Sequence, residues 1–157
     1  MAFTLRILAV GRARSGPERA LFEAYAARLA WPIQLEEIDL KANLPPPARK
    51  AKETEKLLAR VPEGARVLAL DAGGTPLSSE AFAEKLGRWQ DDGAGMLCLL
   101  IGGAEGLDRA ALERADFVLS LGPMIWPHLL VRGMLAEQLY RAQAILAGHP
   151  YHRGGGA

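Results

Sequence analysis

The chain has 157 residues, 50% hydrophobic and 24% charged, enough apolar material to bury a core without disulfides or metal. A formal charge of +1 excludes a strongly acidic or basic protein, and no apolar run approaches the ~18 residues of a membrane span. The run after Met1 is broken by Arg6 and does not read as a signal peptide, and the single Cys98 can form neither an internal disulfide nor a zinc site, so a cytoplasmic protein is expected.

In chain order, TLRILAVG (4–11) is an apolar strand ending on a glycine, and GRARSGPER is a loop. Pro17 then opens a helix expected to run to residue 29, with Leu21, Phe22, Tyr25 and Leu29 on one side. Residues 33–40 alternate apolar and acidic groups, as a half-exposed strand does. The three prolines of KANLPPPARK predict an extended surface loop before a charged helix over 48–60. A short strand over 67–70 is followed by DAGGTPLSSE, read as a turn closing on a helix that Ser78 or Ser79 caps, with Glu80 in its first turn. The apolar run 96–101 is a strand covered on both faces, and Cys98 within it reads as core. GGAEGLDRAAL leads into a short helix, FVLS (117–120) is the last strand, and a long helix starts at Pro127 and runs to Gly148. The order βαβαβαβαβα predicts an α/β fold, a mainly parallel sheet flanked by helices, in one domain spanning 1–157 with a tail at 151–157.

The last helix is apolar on more than one side. Val131, Leu135, Leu139, Ala142 and Leu146 form one stripe, which Leu130, Met134 and Ile145 widen, leaving Arg132, Glu137, Gln138, Arg141 and Gln143 as the polar remainder. Two apolar faces need two surfaces, so a partner subunit is expected.

In an open parallel sheet, ligands bind beyond the carboxyl ends of the strands. Three ends carry unusual loops: Leu70 with Asp71 and Gly73–Gly74, Ile101 with Gly102–Gly106, and Ser120 with the segment 121–127. Gly102, Gly103 and Gly106 miss the dinucleotide spacing GxGxxG, and no Gly-Lys-Ser/Thr exists for a P-loop. A small molecule other than a nicotinamide or a nucleoside triphosphate is implied. Residues 1–66 hold 12 basic against 8 acidic side chains, permitting a basic patch from Arg12, Arg14, Arg19, Arg49, Lys50 and Lys52 that suits phosphates.

Three blocks carry a resemblance: LLIGGAEGL (99–107), LS…PH…R…EQLYRA (119–142) and PYHR (150–153). In this order and over nearly the whole length, the chain resembles the RlmH family of rRNA large-subunit methyltransferases. The resemblance implies a SPOUT α/β fold with a C-terminal trefoil knot, a homodimer, S-adenosyl-L-methionine as cofactor, and methylation of N3 of a pseudouridine in helix 69 of 23S rRNA within the ribosome. Neither DNA nor membrane enters that picture. It places the cofactor against Leu70, Gly102, Gly103 and the segment Leu121, Gly122, Pro123, Met124, Ile125 and Trp126. It also puts His152 forward as the base for the N3 proton, Tyr151 as a group that positions or stacks on the target ring, and Arg153 or Arg132 as the cation on a ring oxygen or phosphate. Ile125 stands where the family often has Thr, and Gly122 and Pro123 where it often has Ser, Ala or Lys, so backbone contacts are expected to dominate there. His128 reads as a capping or packing residue, and Trp31 and Trp89 as core. Two rivals remain at this point: a non-catalytic RNA-binding or ribosome-associated dimer of the same fold, and a different small-molecule enzyme on an α/β sheet.

Overall fold

The computed structural model describes residues 3–153. Five parallel strands form one sheet in the order β2-β1-β4-β3-β5: β1 Thr4–Val10, β2 Ile33–Ile38, β3 Arg66–Pro76, β4 Met96–Ile101 and β5 Phe117–Ser120. The helices are α1 Pro17–Ala26, α2 Pro46–Leu58, α3 Ser79–Asp91, α4 Arg109–Arg114 and α5 His128–Ala147. The expected alternation therefore holds throughout.

Side-chain alternation along the strands sorts the helices between two layers. Leu5, Ile7, Leu97, Leu99 and Leu68 face a core completed by Phe22 of α1, Phe82 and Leu86 of α3, and Leu135 and Leu139 of α5. Leu8, Val10, Val67, Cys98 and Leu100 face the other way, onto Leu57 of α2 and Ala111 of α4. The crossovers through α1 and α3 step one way along the sheet on the first face; those through α2 and α4 step the opposite way on the second. All four share one hand, as the handedness rule for parallel strands requires. Cys98 is buried, as expected.

Besides the strand expected over 33–40, which ends at Ile38, three boundaries differ from the sequence expectation. The helix expected over 48–60 begins at Pro46, because the first turn needs no N–H from Pro46 or Pro47. The helix expected to reach residue 29 ends at Ala26, and the chain continues in single tight turns from Arg28 to Tyr25 and Leu29 to Ala26. The segment read as a turn after Leu70 instead belongs to a strand. Residues 71–74 make an excursion, and the chain returns so that both Leu70 and Thr75 pair with Leu119. Gly74 permits this: a Cβ there would lie 2.6 Å from the Val118 carbonyl oxygen.

Ser78 caps α3 as expected, accepting the Ala81 N–H at 3.0 Å. Ser78→Ala is expected to cost about 1 kcal/mol and to lower Tm by roughly 2–4 °C in a thermal melt. No change in Tm would show that the cap is dispensable.

Candidate cofactor cleft and tail

From β5, at one edge of the sheet, the chain must cross the strand ends to place α5 between α1 and α3. The crossing segment, 121–127, passes over the carboxyl ends of β3 and β4 and closes a cleft of about 330 Å³. Its walls bring together Leu70, Gly102, Gly103, Leu121, Gly122, Met124, Ile125 and Trp126, eight of the nine residues that the resemblance assigned to a cofactor; Pro123 is exposed beside them and does not line the cleft. Asp71, Ala72, Glu105 and His128 also line it. Ile125 is 95% exposed and Met124 69%, so this wall offers apolar surface that a ligand would cover.

The floor is glycine for steric reasons. A Cβ on Gly102 would lie 2.5 Å from the Gly106 carbonyl carbon, and one on Gly103 would lie 2.9 Å from Val10. The turn is closed by the Gly106 N–H donating to the Gly103 carbonyl at 3.0 Å, with Gly106 in the left-handed region. Ser120 anchors the other wall: its hydroxyl donates to the Ala72 carbonyl at 3.0 Å and accepts the Gly122 N–H at 3.0 Å.

His128, the first residue of α5, faces this cleft, and its Nε2 lies 3.3 Å from where a Gly11 Cβ would be. Burial, reinforced by the neighbouring Arg132 charge, pushes its pKa down, so the ring is neutral near pH 7. Arg132 itself corrects the expectation that it reaches a ring oxygen or phosphate. Its side chain is 1% exposed, bonded to Glu37 and donating through Nη2 to the Val10 and Gly11 carbonyls at 3.1 and 2.7 Å. It ties α5 to the end of β1. Periodicity put it on the polar side of α5, but the partners that draw it inward, the Glu37 carboxylate and the Val10 and Gly11 carbonyls, lie on distant segments that no pattern within α5 records.

The tail folds back along α5. Tyr151 donates its hydroxyl proton to Glu137 at 2.8 Å and meets Tyr140 edge to face at 4.7 Å. Burial and the Glu137 carboxylate push the Tyr151 pKa up to about 12, so it stays a phenol. His152 is held at both ring nitrogens, Nδ1 3.1 Å from Arg141 and Nε2 2.8 Å from Glu80. Contact with His152 in turn lowers the Glu80 pKa. Arg141 also pairs with Glu137 at 2.6 Å, in the acid-first order read from the sequence. Arg153 is exposed; the tail beyond it lies outside the described residues. None of the tail residues 151–153 lines the cleft of its own chain. The part played by Glu80 was not legible in the sequence, because it stands 72 residues from His152.

Of the basic side chains, Arg19 is engaged with Glu23 and Arg49 with the Leu40 and Ala42 carbonyls, while Arg12 sits loosely, 3.7 Å from Asp39. Beside α5 lies a larger groove of about 590 Å³, walled by Leu21 and Tyr25 of α1, Phe82 of α3 and Met134 of α5. Of the residues that widen the apolar side of the last helix, Met134 lines this groove, together with Glu137 and Gln138, whereas Leu130 and Ile145 do not. Among the described residues no helix is long and apolar enough to cross a membrane.

The family model described as predicted SPOUT methyltransferase matches residues 3–152, which places the chain in a methyltransferase class whose fold agrees with the parallel sheet and strand-end cleft described above. The chain is 54% identical over 149 residues to the ribosomal RNA large subunit methyltransferase H of Rhodospirillum centenum, covering 95% of this chain and 98% of that protein, and 53% identical with the same coverages to that of Paramagnetospirillum magneticum. It belongs to this family. Among solved structures, a probable methylase family protein from Haemophilus influenzae Rd KW20 superposes with a TM-score of 0.59 at 15% identity, covering 98% of this chain and 72% of that chain, which bears on the fold alone.

Proposed function

We propose that this protein is an S-adenosylmethionine-dependent methyltransferase that modifies N3 of a pseudouridine in helix 69 of 23S rRNA in the large ribosomal subunit, acting in the cytoplasm as a homodimer with the trefoil knot of its family. The observation that carries the reading is the convergence of the 102–106 turn and the 121–126 segment on one apolar, glycine-floored cleft, in a chain about half identical to large-subunit rRNA methyltransferases along its length. The residues fit the cofactor. Side chains are excluded from the floor at Gly102 and Gly103, backbone groups are accessible there, and the exposed Met124, Ile125 and Trp126 provide cover for an adenosine. When bound, the cofactor supplies an electrophilic methyl group on a sulfonium.

The chain's own residues must bind and align the base and accept the N3 proton. His152 is the proposed acceptor, Tyr151 the group that positions the ring, and Arg153 the cation for a ring oxygen or phosphate. Arg132 acts through the backbone, by fixing the start of α5. Because the tail of one chain lies outside that chain's own cleft, a tail from the partner subunit is needed to complete each site, and the groove along Leu21, Phe82 and Met134 is the surface proposed to bury that partner. That arrangement explains a helix with two apolar faces.

The test is transfer of labelled methyl into 23S rRNA, comparing isolated large subunits with assembled ribosomes. Wild-type protein is expected to label one position, and His152→Ala to lower kcat by about 10²–10⁴-fold with cofactor affinity within about twofold of wild type. Full activity in His152→Ala would remove the base assignment. A null calorimetric titration of wild-type protein with S-adenosylmethionine would instead favour a non-catalytic RNA-binding dimer.

A further inference from the structure

Glu53 of α2 is a carboxyl that packing alone does not explain. It is 5% exposed, and among the described residues its Oε1 has no hydrogen-bond partner and its one ion pair is with Arg49. Arg49 stands 3.7 Å from Oε2 and directs its closer contacts to the Leu40 and Ala42 carbonyls. Burial pushes the Glu53 pKa up; Arg49 opposes this without reversing it, and Glu105 adds to it. The fold's own cations therefore under-compensate this group. Burying such a group costs stability, and an apolar side chain would fill the place at less cost.

Its position supplies a reason. The two carboxylate oxygens lie 3.3 and 3.4 Å from where a Cβ on Gly103 would stand, in the space between Gly103 and Val10. Gly103 also forms part of the cleft floor. One glycine backbone thus separates a buried, under-compensated carboxylate from the proposed cofactor site. We propose that Glu53 is the counter-charge for the cofactor's sulfonium and makes the cleft prefer the charged methyl donor over the neutral thioether product. This rests on the cofactor reading above. The intervening backbone is functional on this account: a carboxylate oxygen in contact with the sulfonium methyl would itself be a nucleophile, whereas one screened by Gly103 contributes its field without competing for the methyl group. The field remains strong because little water reaches the carboxylate.

The experiment is calorimetric titration of the full chain, wild type and Glu53→Gln, with S-adenosylmethionine and separately with S-adenosylhomocysteine. The two ligands differ in charge only at sulfur. Loss of the carboxylate is expected to weaken the methyl donor by about tenfold or more, because opposite charges in a poorly solvated setting still attract across the thickness of one peptide. The product's Kd should stay within about twofold. If the ratio of the two Kd values stays at its wild-type value, because neither changes or both weaken together, Glu53 serves packing and the proposal is overturned. Glu53→Met, which keeps the volume without the polar atoms, reads the same ratio if the Gln variant does not fold. Wild-type protein that binds neither ligand overturns the cofactor reading itself, and the proposal with it.

Discussion

Gly102→Ala is expected to lower cofactor affinity by about 10–10²-fold while leaving a folded protein. The added methyl would stand 2.5 Å from the Gly106 carbonyl carbon, 2.6 Å from its oxygen and 2.8 Å from the Leu107 nitrogen. All three are backbone atoms, so no side chain can rotate away; the 103–107 turn must move bodily. That turn forms one side of the cleft, and its opposite side, anchored by Ser120, does not follow it. Relieving that overpacking in the bound geometry costs ~1–3 kcal/mol, which in affinity is about one to two orders of magnitude. The control is Gly95→Ala. Gly95 has nothing within 4 Å of its would-be Cβ and no left-handed backbone, so its substitution should leave affinity unchanged and stability within about 0.5 kcal/mol. Calorimetry and a thermal melt on both variants decide the matter. Wild-type affinity in Gly102→Ala would mean that the turn takes no part in binding.

What the sequence revealed of this cleft followed from what its residues lack. Gly102, Gly103 and the irregular 121–127 segment follow strand ends, and a parallel sheet collects those ends on one side, so a site there was legible before any coordinates. Helix and strand order were legible for the same kind of reason: period-2 and period-3.6 patterns are local. The features that escaped detection are those made by distant chain segments. Residues 71–74 read as a turn because glycine and aspartate are turn formers; only the approach of β5, more than 40 residues later, makes the segment a strand with an excursion. Arg132 read as surface because its acceptors, the Glu37 carboxylate and the main-chain oxygens of Val10 and Gly11, belong to segments far away in the chain. Glu53 read as one more charge on a charged helix. Its burial depends on the turn at Gly103 seated over it, and nothing within α2 announces that. The identity of cofactor and substrate came from resemblance, since no spacing of side chains in this cleft spells out a sulfonium or a nucleobase.

Arg132→Ala is expected to be strongly destabilising, by ~3 kcal/mol and roughly 10 °C in Tm. It would leave the Val10 and Gly11 carbonyls without their side-chain donor and Glu37, whose side chain is 20% exposed, without its cation. The lower end of the range for broken buried pairs applies because Glu37 retains some water and the Ala13 N–H. The effect should depend on pH, with a sign that the Glu37 environment fixes. Burial raises the Glu37 pKa, but the Ala13 N–H and Arg132 outweigh it and hold the folded value below the usual range. A carboxyl depressed on folding adds stability that is fully present above its unfolded value near ~4.3 and is lost as pH falls through the folded value. Without Arg132 the burial contribution is opposed only by Ala13 and the more distant Arg19, so the variant begins with less of this stability and has less to lose in acid. The gap between wild type and Arg132→Ala should therefore be largest near pH 7 and shrink below about pH 4. Urea unfolding at pH 7 and pH 3.5 measures both gaps. An equal gap at the two pH values would show that Arg132 acts through its packing and its bonds to the Val10 and Gly11 carbonyls and not through the Glu37 charge. A gap under about 1 kcal/mol at pH 7 would show that the pair is no more than a surface contact, and that the start of α5, with His128 and the cleft wall before it, is held by packing of Val131 and Leu135 instead.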